Sequence, residues 1–425
     1  MSKQKKDTGT RNYWAMTFEG STFIGGIAVM STAGSVALFI NLMTGSKTLV
    51  GLAVTIQSLL QLIGQLIVAP YVRSIRNLPK YLTKIVLAQR VLPILISIPL
   101  FIGVSNHWSV TIYFILISIF WFFDGLVMLP WSEFCARAIQ AEKRGQMMGL
   151  QITVGGIVSL LTGLLLTWLL ATPVLTDNHR FAFVFLLAGI VFSSSAIFLP
   201  MFRDPAPIKN PQKEPMGVYY KRVPTVVKNS KSLQGVLFAR IPAYFAFSSA
   251  TFIVVFGVSA LSLSSIQTSW LVYANIVGNL IGGVLLGEIS RRLGSKAIIL
   301  LCNLGVIIAL GMAISLALFP TLGYAWLFAT CALASMMQSN WLGYHTYFLD
   351  ISPAHERSVF QVVGNSIGIP FSLVGYLIGA IVDRWGFVSA FALGVTAGVL
   401  AVILGTRLQS KRAIQAFIEQ QQQET

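Results

Sequence analysis

The sequence predicts an all-α membrane protein of twelve transmembrane helices, arranged as two pseudo-symmetric six-helix bundles with both termini cytoplasmic. Three observations carry that expectation. Apolar runs long enough to cross a ~30 Å hydrocarbon core recur along the chain, basic residues gather in alternate connections, and the second half repeats the first. Composition agrees: of 425 residues 55% are hydrophobic and 10% charged, too little polar surface for a soluble domain.

The runs fall near 18–42, 49–70, 83–104, 109–134, 148–171, 181–201, 237–261, 268–287, 297–318, 323–348, 359–382 and 388–407. The basic N-terminus (Lys3, Lys5, Lys6, Arg11) leads into a run too long for a signal peptide, so it reads as a retained first span. With that end inside, the inner connections hold Arg73, Arg76 and Lys80, then Arg137, Lys143 and Arg144, then Arg203 to Lys231, then Arg291, Arg292 and Lys296, then Arg357, then Lys411 and Arg412. The outer connections hold only Lys47, Arg180 and Arg384. This loop pattern accounts for the formal charge of +16, and nucleic acid is not an expected partner.

The long polar connection Arg203 to Ser232 divides the runs six and six. Its prolines and lysines read as a cytosolic linker near anionic headgroups. The expected organisation is an N-terminal bundle over 1–202, a linker over 203–233, a C-terminal bundle over 234–408 and a cytoplasmic tail over 409–425 that forms a short frayed helix. The expected setting is the plasma membrane, as a multi-pass monomer of a bacterial inner or cytoplasmic membrane.

Shifted by 218 positions, Val54 meets Val272, Gln57 meets Asn275, Gln61 meets Asn279, and Leu62-Ile63-Gly64 meets Leu280-Ile281-Gly282. A second register of 213 places Phe134, Ala141 and Arg144 on Tyr347, Ala354 and Arg357. The chain therefore reads as an internal duplication, with a substrate expected between the bundles near the midplane.

Asp124 lies well inside the fourth apolar run, where an ionised carboxylate costs at least ~2.5 kcal/mol and needs an interior cavity, a partner or a proton. Burial disfavours a charged carboxylate and a nearby arginine favours it, so a site alternating between such surroundings takes up and releases a proton. The alternative is a protonated or hydrogen-bonded aspartate that holds spans together. Glu133, nine residues on, is either an inner relay or a cap near the loop. Arg90 in the third run is expected to pair with Glu19 or Glu133, or to bind an anion. Glu19 and Arg240, near the inner ends of the first and seventh runs, either snorkel to headgroups or form a cytoplasmic gate. Gln57, Gln61 and Gln65 make one stripe on the second run, which Asn275 and Asn279 repeat on the eighth. The stripe is either a polar substrate wall or helix–helix hydrogen bonding. Trp121, Tyr244 and Gln338 are further candidates for a central cavity.

The segment Pro130 to Gly149, PWSEFCARAIQAEKRGQMMG, with its echo DISPAHER at Asp350 to Arg357, resembles the connection after the fourth span in the major facilitator superfamily. That resemblance implies the two-bundle transporter fold. Gly287, Ile289, Arg292, Gly294 and Lys296 are similar to the family's G-x-L-x-D-R-x-G-R-K loop, although Arg291, and Arg73 in the first copy, stand where its aspartate falls. Aligned with the R-x-x-Q-G pattern of the family's drug/proton antiporters, Trp121 replaces the arginine and Asp124 the glutamine, so the drug-efflux subfamily does not follow.

The function expected from these residues is proton-coupled secondary active transport of a small organic solute by alternating access, with efflux the favoured direction. The alternative is sugar-like or peptide-like nutrient uptake, and a non-transporting receptor ranks lower. Neither an enzyme nor a primary pump is expected, since no phosphate-binding loop occurs. His107, His179, His345 and His355 lack metal-ligand spacing, and Cys135, Cys302 and Cys331 form no paired motif. No cofactor or metal is expected; the partners are a small-molecule substrate, protons and the bilayer.

Overall fold

The computed structural model of the chain describes residues 3–32, 34–139, 141–172, 174–204, 215–338, 340–352, 360, 363–365, 368–371 and 373–410. Every regular element among the described residues is helical. The chain divides into two compact units, one of Met1–Gly45 with Ile56–Tyr219, the other of Ser46–Thr55 with Tyr220–Thr425.

The first unit is built on α1 (Lys3–Val29), α2 (Ser35–Thr44), most of α3 (Lys47–Val68), α4 (Leu78–Arg90), α5 (Leu92–Phe101), α6 (Asn106–Ala138), α7 (Ala141–Ala171) and α8 (Asp177–Ser194). Local chemistry sets these boundaries. The Asn77 side chain accepts from the Lys80 amide at 3.0 Å and Pro79 occupies the first turn, so α4 begins there. Pro93 has no N–H to offer the Gln89 carbonyl one turn back, and the helix breaks at Val91 between α4 and α5. That break falls beside Gln89 and Arg90. Helix α1 packs on α7 and α8, α5 on α8, and α4 on α6.

After α9 (Met216–Asn229), the second unit runs through α10 (Lys231–Ala250), α11 (Ile253–Leu261), α12 (Ser265–Leu293), α13 (Ser295–Leu318), α14 (Gly323–Met337), α15 (Asn340–Asp350) and α16 (Val374–Thr406). Its core joins Leu233, Val236 and Leu237 of α10 to Ile299 of α13 and Tyr344, Tyr347 and Phe348 of α15. Val223, Val226 and Val227 place one face of α9 on that core, so the expected linker contains a docked helix. In both units large apolar side chains also point outward, among them Ile115, Leu161, Trp168, Ile190, Ile308 and Leu400. Such surfaces are tolerable where hydrocarbon is the solvent.

Nine helices among the described residues are long and apolar enough to cross a bilayer. The expected runs at 18–42, 237–261 and 323–348 each correspond to two helices instead of one: α1 with α2, α10 with α11, and α14 with α15. The described part of the run at 359–382 from Val374 onward and the run at 388–407 are two helices that meet within α16 at a kink, Gly386, whose φ of +82° interrupts the helical backbone where an L side chain would be strained. Residues 353–357 of the DISPAHER echo, 205–214 of the linker and 411–425 of the tail lie outside the described residues.

The duplicated Leu-Ile-Gly segment has a structural counterpart in each unit. A Cβ on Gly64 would lie 2.4 Å from the Phe122 carbonyl oxygen, and one on Gly125 2.0 Å from that of Gln61. In the second unit a Cβ on Gly282 would lie 2.1 Å from the Met336 carbonyl oxygen, and one on Gly278 2.4 Å from that of Ala332. Helices α3 and α6, and likewise α12 and α14, thus approach backbone to backbone, which only the smallest residue allows. Gly64→Ala and Gly282→Ala are each expected to destabilise the protein by about 1–3 kcal/mol through overpacking. Gly311→Ala, where a Cβ meets nothing within 4 Å, leaves stability unchanged or raised. Thermal unfolding of the detergent-solubilised chain reads the difference.

Candidate functional site

A polar network sits inside the first unit where α1, α3, α4 and α6 meet. Asp124 is 8% exposed, Glu19 and Arg90 are each 3% exposed, and Gln89 is fully buried. Buried polar groups at this depth are costly unless bonded, so their partners define what the site can do.

Two consecutive residues at the end of α4 each hold a different carboxylate. Gln89 Nε2 donates to Asp124 Oδ1 at 3.1 Å and to the Phe120 carbonyl at 3.3 Å. Arg90 Nη2 donates to Glu19 Oε1 at 3.1 Å. Gln61 Nε2 of α3 donates to Asp124 Oδ2 at 2.7 Å, so an amide meets each oxygen of that carboxylate. Trp131 Nε1 donates to Glu19 Oε2 at 3.2 Å. The Arg90 guanidinium also lies 4.4 Å from the Phe23 ring centroid and 5.2 Å from that of Phe192. Its Nε and Nη1, and Gln89 Oε1, are buried with no hydrogen-bond partner among the described residues.

In formal charge, two carboxylates here share one guanidinium. With both acids ionised the cluster carries one excess negative charge; one bound proton neutralises it. The amides on Asp124 supply neutral donors that leave this balance untouched.

Several expected site residues meet here and others do not. Glu19, Gln61, Arg90 and Asp124 are joined, and Arg90 takes Glu19 as its ion-pair partner. Glu133 instead pairs with Arg137 at 2.8 Å, one turn along α6, and Arg137 also lies 3.7 Å from Asp204. Gln57 is hydrogen-bonded by Thr32, and Gln65 donates to Met128 Sδ at 3.2 Å, so Gln61 and Gln65 both reach α6. Trp121 is buried edge-to-face against Phe120. In the second unit Asn275 is buried while Asn279 is exposed, so the two amides do not form one evenly buried stripe. Gln338 is half-buried, and Tyr244 stacks on Phe371 beside Arg240.

Gln89 and Trp131 are the participants that sequence reasoning missed. The signal for Gln89 was present: an amide directly before an arginine and four residues ahead of a proline in an apolar run. The paired glycine contacts also relate the halves here. Met336 stands 214 positions after Phe122, and the same shift carries Asp124 onto Gln338, so a neutral amide occupies the corresponding place in the second unit.

This architecture is that of a polytopic membrane protein with a major-facilitator-like fold. The chain is similar to the xylose transporter XylE from E. coli in a partially occluded inward-open conformation, at 14% identity and TM-score 0.68, covering 96% of this chain and 99% of that one. It is similar to a D-xylose-proton symporter at 16% identity and TM-score 0.66, covering 95% and 99%, and to the nucleoside transporter NupG at 10% identity and TM-score 0.65, covering 93% and 98%. No family model matches the sequence, and no curated protein matches it.

Removing one member of the buried ion pair strands the other charge. Arg90→Met is expected to destabilise the protein by about 3–5 kcal/mol, whereas Glu19→Gln with Arg90→Met recovers most of that loss. A double-mutant cycle by thermal unfolding in detergent measures the coupling.

Proposed function

We propose that the protein is a proton-coupled secondary active transporter of a small organic solute, working by alternating access, with Asp124 as the proton site. The single observation that supports this most is the unequal charge of the buried cluster: Glu19 and Asp124 against Arg90 alone. A buried excess charge in an apolar bundle is expensive. Protonation of Asp124 removes it, and exposure to water makes it tolerable again. A solute whose binding differs between those two conditions becomes coupled to the proton.

In this reading Gln61 and Gln89 orient Asp124, Arg90 and Glu19 form the fixed counter-charge, and Glu133 belongs to a separate ion-pair cluster with Arg137. The twelve-span count, cytoplasmic termini, plasma-membrane setting and monomeric state belong to the same proposal. Efflux is the direction inferred from the sequence. Proton-driven uptake is the second reading, favoured by the likeness to a D-xylose-proton symporter and by the amide-rich surroundings of the acid.

Vesicles containing the protein, given an imposed proton gradient and a panel of sugars, peptides, nucleosides and lipophilic cations, test the mechanism. The wild type is expected to accumulate or expel at least one solute in response to the gradient. Asp124→Asn is expected to lose that response while retaining solute exchange at equal concentrations. Full gradient-driven flux in the variant would remove Asp124 from the mechanism.

A further inference from the structure

The second unit holds a cation that the proton site does not use. Arg240 lies in the span Lys231–Ser259, nine residues and roughly 14 Å of helix from its start. No carboxylate among the described residues lies within ion-pair distance of it. Its Nη1 donates to the Gly364 carbonyl at 2.8 Å. Otherwise its neighbours are rings: its Cζ lies 5.4 Å from the centroid of Tyr244, 5.2 Å from that of Tyr344 and 5.8 Å from that of Phe348. Arg90, by contrast, is bonded to Glu19.

A guanidinium carries five N–H donors, and one is engaged here. Ring contacts act on the charge through the quadrupole and leave in-plane donors to be met by an acceptor. Arg240 is only partly buried, so those donors remain reachable. One turn along the same helix face, Tyr244 is also half-buried, and its hydroxyl donates to no described residue. Tyr244 stacks on Phe371 at 5.9 Å with an interplanar angle of 10°, which extends the aromatic surface around the cation. Charged and hydroxyl donors beside a wall of rings complement an oxyanion attached to an apolar body.

We propose that Arg240 and Tyr244 form a binding site for an organic carboxylate, the carboxyl on the guanidinium and the apolar body against Tyr244 and Phe371. This rests on the transporter reading, since it names a substrate class for it. It is tested without any gradient. The purified full chain in detergent is titrated with benzoate, with its neutral analogue benzyl alcohol, and with inorganic phosphate, binding being read by intrinsic fluorescence and thermal shift. Benzoate is expected to bind saturably and at least about tenfold more tightly than benzyl alcohol or phosphate. Arg240→Gln is expected to weaken benzoate about tenfold or more, Arg240→Lys less, and Tyr244→Phe a few-fold. Should Arg240→Gln fail to fold, phenylglyoxal labelling of Arg240 in the wild type replaces it, and benzoate is expected to protect that residue. Absence of benzoate binding, equal binding of benzyl alcohol, preference for phosphate, unchanged affinity in Arg240→Gln or unprotected labelling would each overturn the proposal. Benzoate binding that persists while no solute responds to a proton gradient counts against proton coupling and leaves this site standing.

Discussion

The ion pair between Arg90 and Glu19 is the interaction on which the first unit depends. A guanidinium withdrawn from water needs a counter-charge, and the helices around it supply one carboxylate and two ring faces. Helix α1 supplies Glu19 and the Phe23 ring, α8 supplies Phe192, and α6 supplies the Trp131 indole that fills the second oxygen of Glu19. The backbone participates as well, since the Arg90 carbonyl accepts from the Ser193 hydroxyl at 3.3 Å. One charge pair thereby fixes the register of four helices that apolar packing alone would let slide.

Asp124 is held differently, and the difference has chemical consequences. A lysine or second arginine at position 61 or 89 would set a full positive charge against it. Gln61 and Gln89 instead meet its two oxygens with neutral donors, which orient the carboxyl group without cancelling its charge. The break between α4 and α5 serves the same end. Pro93 stops the helix just past Gln89 and Arg90, so two adjacent residues reach two carboxylates on different helices.

Much of this was legible from residue types, because lipid makes polar residues conspicuous. Asp124, Arg90 and Glu19 stand out in apolar runs, and Glu19 and Glu133 are partners the sequence offers Arg90. Which one it takes depends on helix packing, which periodicity does not encode. Gln89 went unnoticed because a single amide has no periodic signature and its importance comes from the neighbour it faces. Burial is hidden in the same way: four-residue spacing puts Asn275 and Asn279 on one helix face, but Asn275 is buried and Asn279 exposed, because depth at each point of a face depends on what packs there. Helix breaks inside apolar runs were also hidden, since hydropathy averages across a turn as readily as along a helix.

The duplication separates what the scaffold requires from what the chemistry requires. Gly64 and Gly282 are retained at corresponding helix crossings because any larger residue would drive the backbones apart. Side chains beside those crossings carry no such constraint. Gln61 bonds an acid, while its counterpart Asn279 is exposed; Asp124 is an acid, while Gln338 is an amide. The first unit consequently has one more buried acid than cation in its network, and the second has a cation with rings and a carbonyl for company. The corresponding helix crossings thus carry side chains of different charge while the glycine contacts at each crossing are the same. The groups that differ between the two units are not the groups that let their helices approach, so charge at these positions varies without disturbing the packing.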